Sequence, residues 1–282
     1  MSKIDPLLSL KSPLGIVAGG GQFPLLCIEA AQKQNIKTVA VAIRGDADHS
    51  IESKADKTTW IYLGQLGKLI KTFKKSGVQQ VLFAGTITKK NIFKEIRPDL
   101  RALSLWRKLD SRQDDAILRA VANELEKEGL QVISATSLLT DLTAPEGVLT
   151  RRSPTQDEWN DIYFGWKIAK KIGELDIGQC IVLKDKVVLA VEAIEGTDNT
   201  IKRGGMLGRK GVVVVKICKP KQDHRFDLPS VGLATIETMK EVKASVLAIE
   251  ADKTLLFDKD DAIKLADKSG IALVALKKGD GQ

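Results

Sequence analysis

The sequence predicts an α/β protein of two domains, an N-terminal Rossmann-like parallel sheet followed by a C-terminal α/β domain. Three observations carry that reading. Short apolar runs alternate with segments of helical periodicity along both halves. The runs are apolar without interruption, as in strands covered on both faces by helices. The 282 residues also amount to two domains at roughly 150 residues each. The expected division is residues 1–135 for the first domain, 136–155 for a linker and 156–282 for a catalytic second domain.

In the first half, Leu14–Ala18 reads as a short strand closed by Gly19, Gly20 and Gly21. Pro24–Lys33 has apolar residues at helical spacing, and Thr38–Ile43 ("TVAVAI") and Thr59–Leu63 are rich in β-formers. Gln65–Ser76 is expected as a helix, Val78–Phe83 as a strand, Gln113–Glu128 as a long amphipathic helix and Gln131–Ser134 as a further strand. Periodicity then lapses in "ATSLLTDLTAPEGVLTRRSPT", which reads as a connection. Gln156–Ile172 resumes a helical pattern, with Trp159, Tyr163 and Trp166 as a packing stripe. Cys180–Leu183 and Val187–Val191 flank "KDK" as a hairpin. Gly211–Ile217, Val246–Ile249 and Ile271–Leu276 supply strands, and Thr235–Lys243 and Lys259–Ser269 supply helices.

Composition narrows the function. No run of about 18 apolar residues exists for a membrane-spanning helix, and the N-terminus lacks the apolar core of a signal peptide. Cys27, Cys180 and Cys218 are far apart and odd in number, which argues against a disulfide framework and fits core positions in a reducing cytosol. The net charge of +8 favours an anionic partner: nucleic acid, a phosphate ligand or an anionic membrane surface. Scattered lysines also serve as a solvated face.

"GIVAGGGQFP" places three glycines where a strand meets a helix, so Gly19, Gly20, Gly21 and Gln22 are candidate nucleotide or phosphate contacts. The spacing is not that of an ordinary NAD-binding turn, Arg44 rather than an acid ends the second strand, and no Walker lysine follows. A tight structural turn is the alternative. "FAGTITKKN" repeats the pattern with Gly85, Thr86 and Lys89, and two such strand ends on one sheet favour a ligand cleft.

In the second half, "VEAIEGTDNTIKRGG" carries Glu192, Glu195, Thr197 and Asp198 and then Lys202 and Arg203. Carboxylates here could hold a hard cation while the basic pair receives phosphate charge; a capped helix N-terminus is the competing explanation. "KICKPKQDHRFDLPSVG" is the densest mixture of signs. Eight Lys/Arg stand against one acid between Ile201 and Arg225, and the glycines and Pro220 rule out one continuous helix. Asp223 and Asp227 flank Arg225, in a basic neighbourhood that keeps both ionised. Either could ligate Mg²⁺ or orient a water; ion pairing with Arg225 and Lys219 is the alternative, and His224 reads as an exposed neighbour.

Taken together and in order, "LGIVAGGGQFP", "FAGTITK", "DSRQDDAILR", "EAIEGTDNTIKRGG" and "KPKQDHRFDLPSVG" resemble the LpxI family of UDP-2,3-diacylglucosamine pyrophosphatases of lipid A synthesis. The resemblance implies a Mg²⁺-dependent hydrolase that splits the diphosphate of UDP-2,3-diacylglucosamine into 2,3-diacylglucosamine 1-phosphate and UMP. It implies an essential aspartate in the stretch matched by "QDHRFD", with Asp223 and Asp227 both eligible. It also implies a homodimer. Surface lysines would let such a cytoplasmic protein make peripheral contact with the anionic inner membrane surface. The competing function is a non-catalytic, nucleotide-binding regulatory protein. Nucleic acid is not an expected partner, because residues 201–225 contain no aromatic for base stacking.

Overall fold

Strands buried on both faces must find all their backbone partners within the sheet, and that requirement organises both halves of this chain. The structure, a computed structural model, describes residues 9–87, 96–107, 109, 114–220, 223, 225–226 and 228–277. It divides into two units, one of Met1–Thr140 with Asp223–Phe226 and the other of Asp141–Gln222 with Asp227–Gln282.

The first unit is built on β1 (Leu14–Ala18), β2 (Thr38–Ile43), β3 (Lys57–Ile61), β4 (Gln80–Ala84) and β5 (Gln131–Val132). They lie in the order β3-β2-β1-β4-β5, and every pairing is parallel. This is the Rossmann-like order, in which the chain reverses its direction of growth between β1 and β4; ligands of such sheets bind at the strand carboxyl ends beside that reversal. The helices are α1 (Phe23–Lys33), α2 (Ile51–Lys54), α3 (Leu66–Lys75), α4 (Leu100–Trp106) and α5 (Asp114–Lys127). Phe73 and Leu69 of α3 and Leu125 of α5 pack with Val41, Val81 and Leu130 in one aliphatic core.

The second unit contains β6 (Gly147–Val148), α6 (Gln156–Glu174), β7 (Cys180–Lys184), β8 (Val187–Val191), α7 (Thr197–Gly208) and β9 (Val213–Lys216). There follow β10 (Ser230–Val231), α8 (Leu233–Glu241), β11 (Val246–Glu250), β12 (Leu255–Leu256), α9 (Lys259–Lys268) and β13 (Ala272–Leu276). The main sheet has the order β6-β13-β11-β9-β7-β8, and β10 and β12 pair separately. β9, β11 and β13 are parallel to one another, whereas β6 and β7 run antiparallel to their neighbours.

β7 and β8 form the expected hairpin. Asp185 and Lys186 both take positive φ, 51° and 60°, as a two-residue turn matched to strand twist requires. The carboxylate of Asp161 on α6 accepts their two amide hydrogens at 2.9 and 2.7 Å. Trp166 is buried in the core under α6, and Trp159 stacks on Tyr163 at 5.5 Å, so the aromatic stripe packs the helix. All three cysteines are buried and free; burial pushes the Cys27 thiol up to about 12.

Several elements differ from the sequence reading, among them α2, β10 and β12, which it does not name. The stretch 136–155 contains a 3₁₀ turn (Thr140–Leu142) and β6, which pairs with β13. α4 has no counterpart in the expected pattern, because none of its residues is buried; Asp99 starts it by accepting from the Ala102 amide at 2.9 Å. No helix among the described residues is long and apolar enough to cross a membrane.

The start of α6 is held by a reciprocal cap: the Glu158 amide donates to Thr155 Oγ1 at 3.3 Å, and the Thr155 amide donates to the Glu158 carboxylate at 2.8 Å. Thr155→Ala should lower the stability of the second unit by about 1 kcal/mol, read as a shift in its urea unfolding midpoint.

Candidate active site

In the first unit, the ends of β1 and β4 are locked to each other. Gly20 and Thr86 exchange backbone hydrogen bonds of 2.7 and 3.0 Å, and the Gly19 amide donates to the Ala84 carbonyl at 2.8 Å. A Cβ on Gly19 would stand 2.6 Å from the Thr86 carbonyl oxygen, and one on Gly85, whose φ is +87°, would stand 2.4 Å from the Gly20 oxygen. Close backbone approach therefore accounts for Gly19, Gly20 and Gly85, and the amides of Gly19 and Gly20 are already spent. Gly21 and Gln22 differ. Together with Leu25, Asp46, Ala47, Asp48 and His49 they line a cavity of about 520 Å³. Gln22 caps α1 without a side-chain hydrogen bond, and a proline opens the helix. This cavity lies at the carboxyl ends of β1 and β2, where doubly wound sheets take their ligands.

The segment Asp223–Phe226 belongs to this first unit. Arg225 forms a two-pronged pair with Asp223, Nε to Oδ1 at 3.0 Å and Nη2 to Oδ2 at 2.8 Å. Its Nη1 donates to Glu126 of α5 at 2.7 Å, and Arg119 stands 3.9 Å from Asp223. The Phe226 ring meets Phe83 of β4 edge-on at 5.3 Å. Burial pushes the Asp223 carboxyl up, but the hydrogen bonds and charge of Arg225 outweigh it and hold the group below the usual carboxylate range. Asp223 raises the Arg225 guanidinium in turn. Asp223 is thus an ion-pair partner here, and the metal-ligand role expected of it would require Arg225 to let go. Among the described residues, no group of three or more His, Cys, Asp or Glu side chains gathers as a metal cage. Asp227 and Lys89 lie outside the described residues.

In the second unit, the β8–α7 connection is held by its own charges. Glu192, buried, accepts from the Gln179 amide at 3.1 Å and the Thr197 hydroxyl at 2.9 Å. Arg203 donates to Glu195 at 2.5 Å and to the Val191 carbonyl at 2.8 Å, while Lys202 stands 3.7 Å from Glu241. Asp198, in the first turn of α7, accepts from the Thr235 hydroxyl at 3.3 Å. Neither Thr197 nor Asp198 caps α7 through its side chain, because the helix follows Gly196; Thr197 and Asp198 are instead held by Glu192 and Thr235, with Asp198 as an acid in the first turn. The exposed Lys202 and Arg203 keep donors for an anion.

The root of the charged loop shows what the sequence reading missed. Glu250, the last residue of β11, is 2% exposed. It accepts from Lys170 at 2.6 Å, Lys253 at 2.7 Å and the Cys218 amide at 2.9 Å. Burial pushes its carboxyl up; the two lysines and the amide outweigh that and hold it below the ordinary value of 4.5. Lys216 crosses the base of the loop to the Ser230 carbonyl at 2.7 Å, and Lys219 pairs with Asp176 at 2.7 Å. An acid and a lysine ending apolar strands, "VLAIE" and "VVVVK", were the available signal.

Both halves match known domain profiles: residues 13–142 the LpxI N-terminal domain and residues 145–274 the LpxI C-terminal domain. The UDP-2,3-diacylglucosamine pyrophosphatase LpxI of Caulobacter vibrioides is 33% identical over 274 residues, 93% of this chain and 97% of that protein. The bifunctional purine biosynthesis protein PurH of Anaeromyxobacter sp. is 30% identical over 133 residues, 45% of this chain but 22% of that protein. Among solved structures, a Rhizobium etli pyruvate carboxylase with acetyl coenzyme A aligns with a TM-score of 0.29 at 15% identity, over 67% of this chain and 15% of that one.

Glu250→Gln leaves Lys170 and Lys253 without a counter-charge, at a cost of about 3 kcal/mol near neutral pH. Because the folded-state pKa is depressed, the carboxylate's contribution is complete above the ordinary value of 4.5 and disappears as pH falls through the lower folded value. Urea unfolding of both proteins should show a gap at pH 7 that narrows below pH 4.5; a gap independent of pH would contradict the assignment.

Proposed function

The chain belongs to the LpxI family, and we propose that it hydrolyses the diphosphate of UDP-2,3-diacylglucosamine in lipid A synthesis, giving 2,3-diacylglucosamine 1-phosphate and UMP. The observation that carries the reading is the family match through both halves in order, with a relative aligned over 93% of this chain. Water bonds to one phosphorus, the bridging P–O bond breaks, and the bridging oxygen leaves with the other phosphate. Such a reaction asks the protein mainly to position the diphosphate and to neutralise its charge.

Arg225 suits that task. Its side-chain bonds to Asp223 and Glu126 use three of the five N–H donors of a guanidinium. The other two are left for phosphate oxygens, and the fork from Asp223 fixes the plane in which they point. Asp223 is then a positioning residue, and Asp227 is the carboxylate assigned to orient and deprotonate the attacking water. Gly21 and Gln22 approach the nucleotide, with Asp46 within reach of ribose hydroxyls as acids at this sheet position are. Lys202 and Arg203 receive further phosphate charge, and Lys89 and Thr86 are kept as substrate contacts. Mg²⁺ dependence belongs to the proposal through the substrate: the described residues do not build a cage, and Mg²⁺ is commonly held by phosphate oxygens with one or two carboxylates. The same reading extends to a cytoplasmic homodimer working against the inner membrane surface.

The test is UMP release from UDP-2,3-diacylglucosamine by the full-length protein with Mg²⁺. Arg225→Ala should lower kcat/KM by a factor of about 100 to 1,000, corresponding to roughly 3–4 kcal/mol of lost oxyanion stabilisation. Asp227→Asn should abolish turnover with the melting temperature unchanged, and EDTA should stop the wild type until Mg²⁺ is restored. Nucleotide binding without UMP release would identify a regulatory binding protein instead.

A further inference from the structure

The second unit carries a lysine-lined cavity that the proposed reaction does not use. Its volume is about 590 Å³, and its lining includes Lys184, Lys210, Lys240, Lys243, Lys268 and Ser269. It lies at the edge of the sheet where the parallel strands begin. Lys210 precedes β9, the segment from Lys243 leads into β11, and Ser269 precedes β13. Lys184 ends β7, which runs antiparallel to β9 and so finishes at the same edge. Glu250 and the root of the charged loop are at the opposite ends of these strands, on the order of 15 Å away for four or five residues at ~3.3 Å each.

Five lysines line one hollow, and cations gathered so closely repel each other unless something answers them. Among the described residues, none of the five has a carboxylate within ion-pair distance. The Lys184 ammonium donates to the Lys210 carbonyl at 3.0 Å, which anchors it at the rim. Lys240 and Lys268 stand in the last turns of α8 and α9, where a cation offsets the helix dipole. That explanation does not reach Lys184, Lys210 or Lys243. Lys243 is moreover held at φ 53°, a conformation that usually selects glycine after a helix. The Ser269 hydroxyl, shielded from solvent, has no hydrogen-bond partner among the described residues. The size is that of a small-molecule site, and lysine stems supply apolar walls beneath their charged ends. A concave hollow of this kind suits a discrete ligand better than a flat lipid surface.

We propose that this cavity binds a soluble molecule bearing several linked phosphate groups, at the opposite ends of the strands from Glu250 and the root of the charged loop. The proposal does not rest on the catalytic reading, because its test is a binding measurement.

The probe is inorganic tripolyphosphate, titrated calorimetrically into the full-length protein at low ionic strength. Lys210→Glu/Lys268→Glu, both at exposed positions, should weaken binding by about tenfold or more. Lys210→Arg/Lys268→Arg should retain it, with unchanged circular dichroism melts in all cases. Tripolyphosphate should also protect Lys210, Lys243 and Lys268 from acetylation as read by peptide mass spectrometry. No saturable binding, or equal affinity in the glutamate variant, would overturn the proposal. Binding lost in Arg225→Ala but kept in the glutamate variant would move the anion to the proposed catalytic site and overturn it equally. So would charge-dependent binding to phosphatidylglycerol vesicles with none to tripolyphosphate, which would make the hollow part of a lipid-facing surface.

Discussion

A carboxylate cut off from water has to be answered by cations and amides, and Glu250 is where that constraint acts most strongly. It ends an interior strand of the second sheet at 2% exposure. Its partners come from three places: Lys170 on α6, Lys253 in the connection after β11, and the Cys218 amide at the start of the charged loop. Buried ion pairs add little net stability over apolar packing, yet losing one partner is expensive, so they specify geometry. Here they specify where the loop departs. Lys216 fixes the other side of its base through the Ser230 carbonyl. The tip is held by charge as well, with Arg225 shared between Asp223 and Glu126. Among the described residues, the charges of this stretch therefore act as clamps, Lys216 and Lys219 within the second unit and Asp223 with Arg225 within the first, and the second set leaves one guanidinium with donors to spare.

The glycine cluster divides by the same kind of accounting. Gly19, Gly20 and Gly85 let two strand ends approach until their backbones bond, and at Gly19 and Gly85 nothing larger fits. That contact sits at the reversal point of the sheet. Gly21 has open space around its α-carbon and borders the cavity that reaches Asp46. One run of three identical residues therefore combines a structural joint with a cavity-facing position.

What could be read from the sequence follows from what each residue is buried against. Thr38–Ile43 is the strand expected to the residue, because an interior parallel strand is apolar throughout and polar at its borders. β5 shrinks to two residues because apolar character continues past the point where pairing with β4 stops. α4 escaped notice since Leu100 is 86% exposed and no stripe is buried. At the site, the flanking of Arg225 by acids is local in sequence and could be seen. Its third partner, Glu126, lies 99 residues away, and no spacing rule reaches that far. Asp46 was hidden for a related reason: it lies beyond the strand tip at Arg44, and only the path of the following turn brings it to Gly21.

The lodging of four residues of the later chain within the earlier fold has an evolutionary consequence. Two halves joined only by a tether could be shuffled between genes, each keeping its own surface. Here the later half cannot be transplanted whole, since part of it is housed by Phe83 and Glu126. A change at Phe83 or Glu126 therefore also removes a partner of Phe226 or Arg225, so an inherited alteration in the earlier half is felt by residues of the later one.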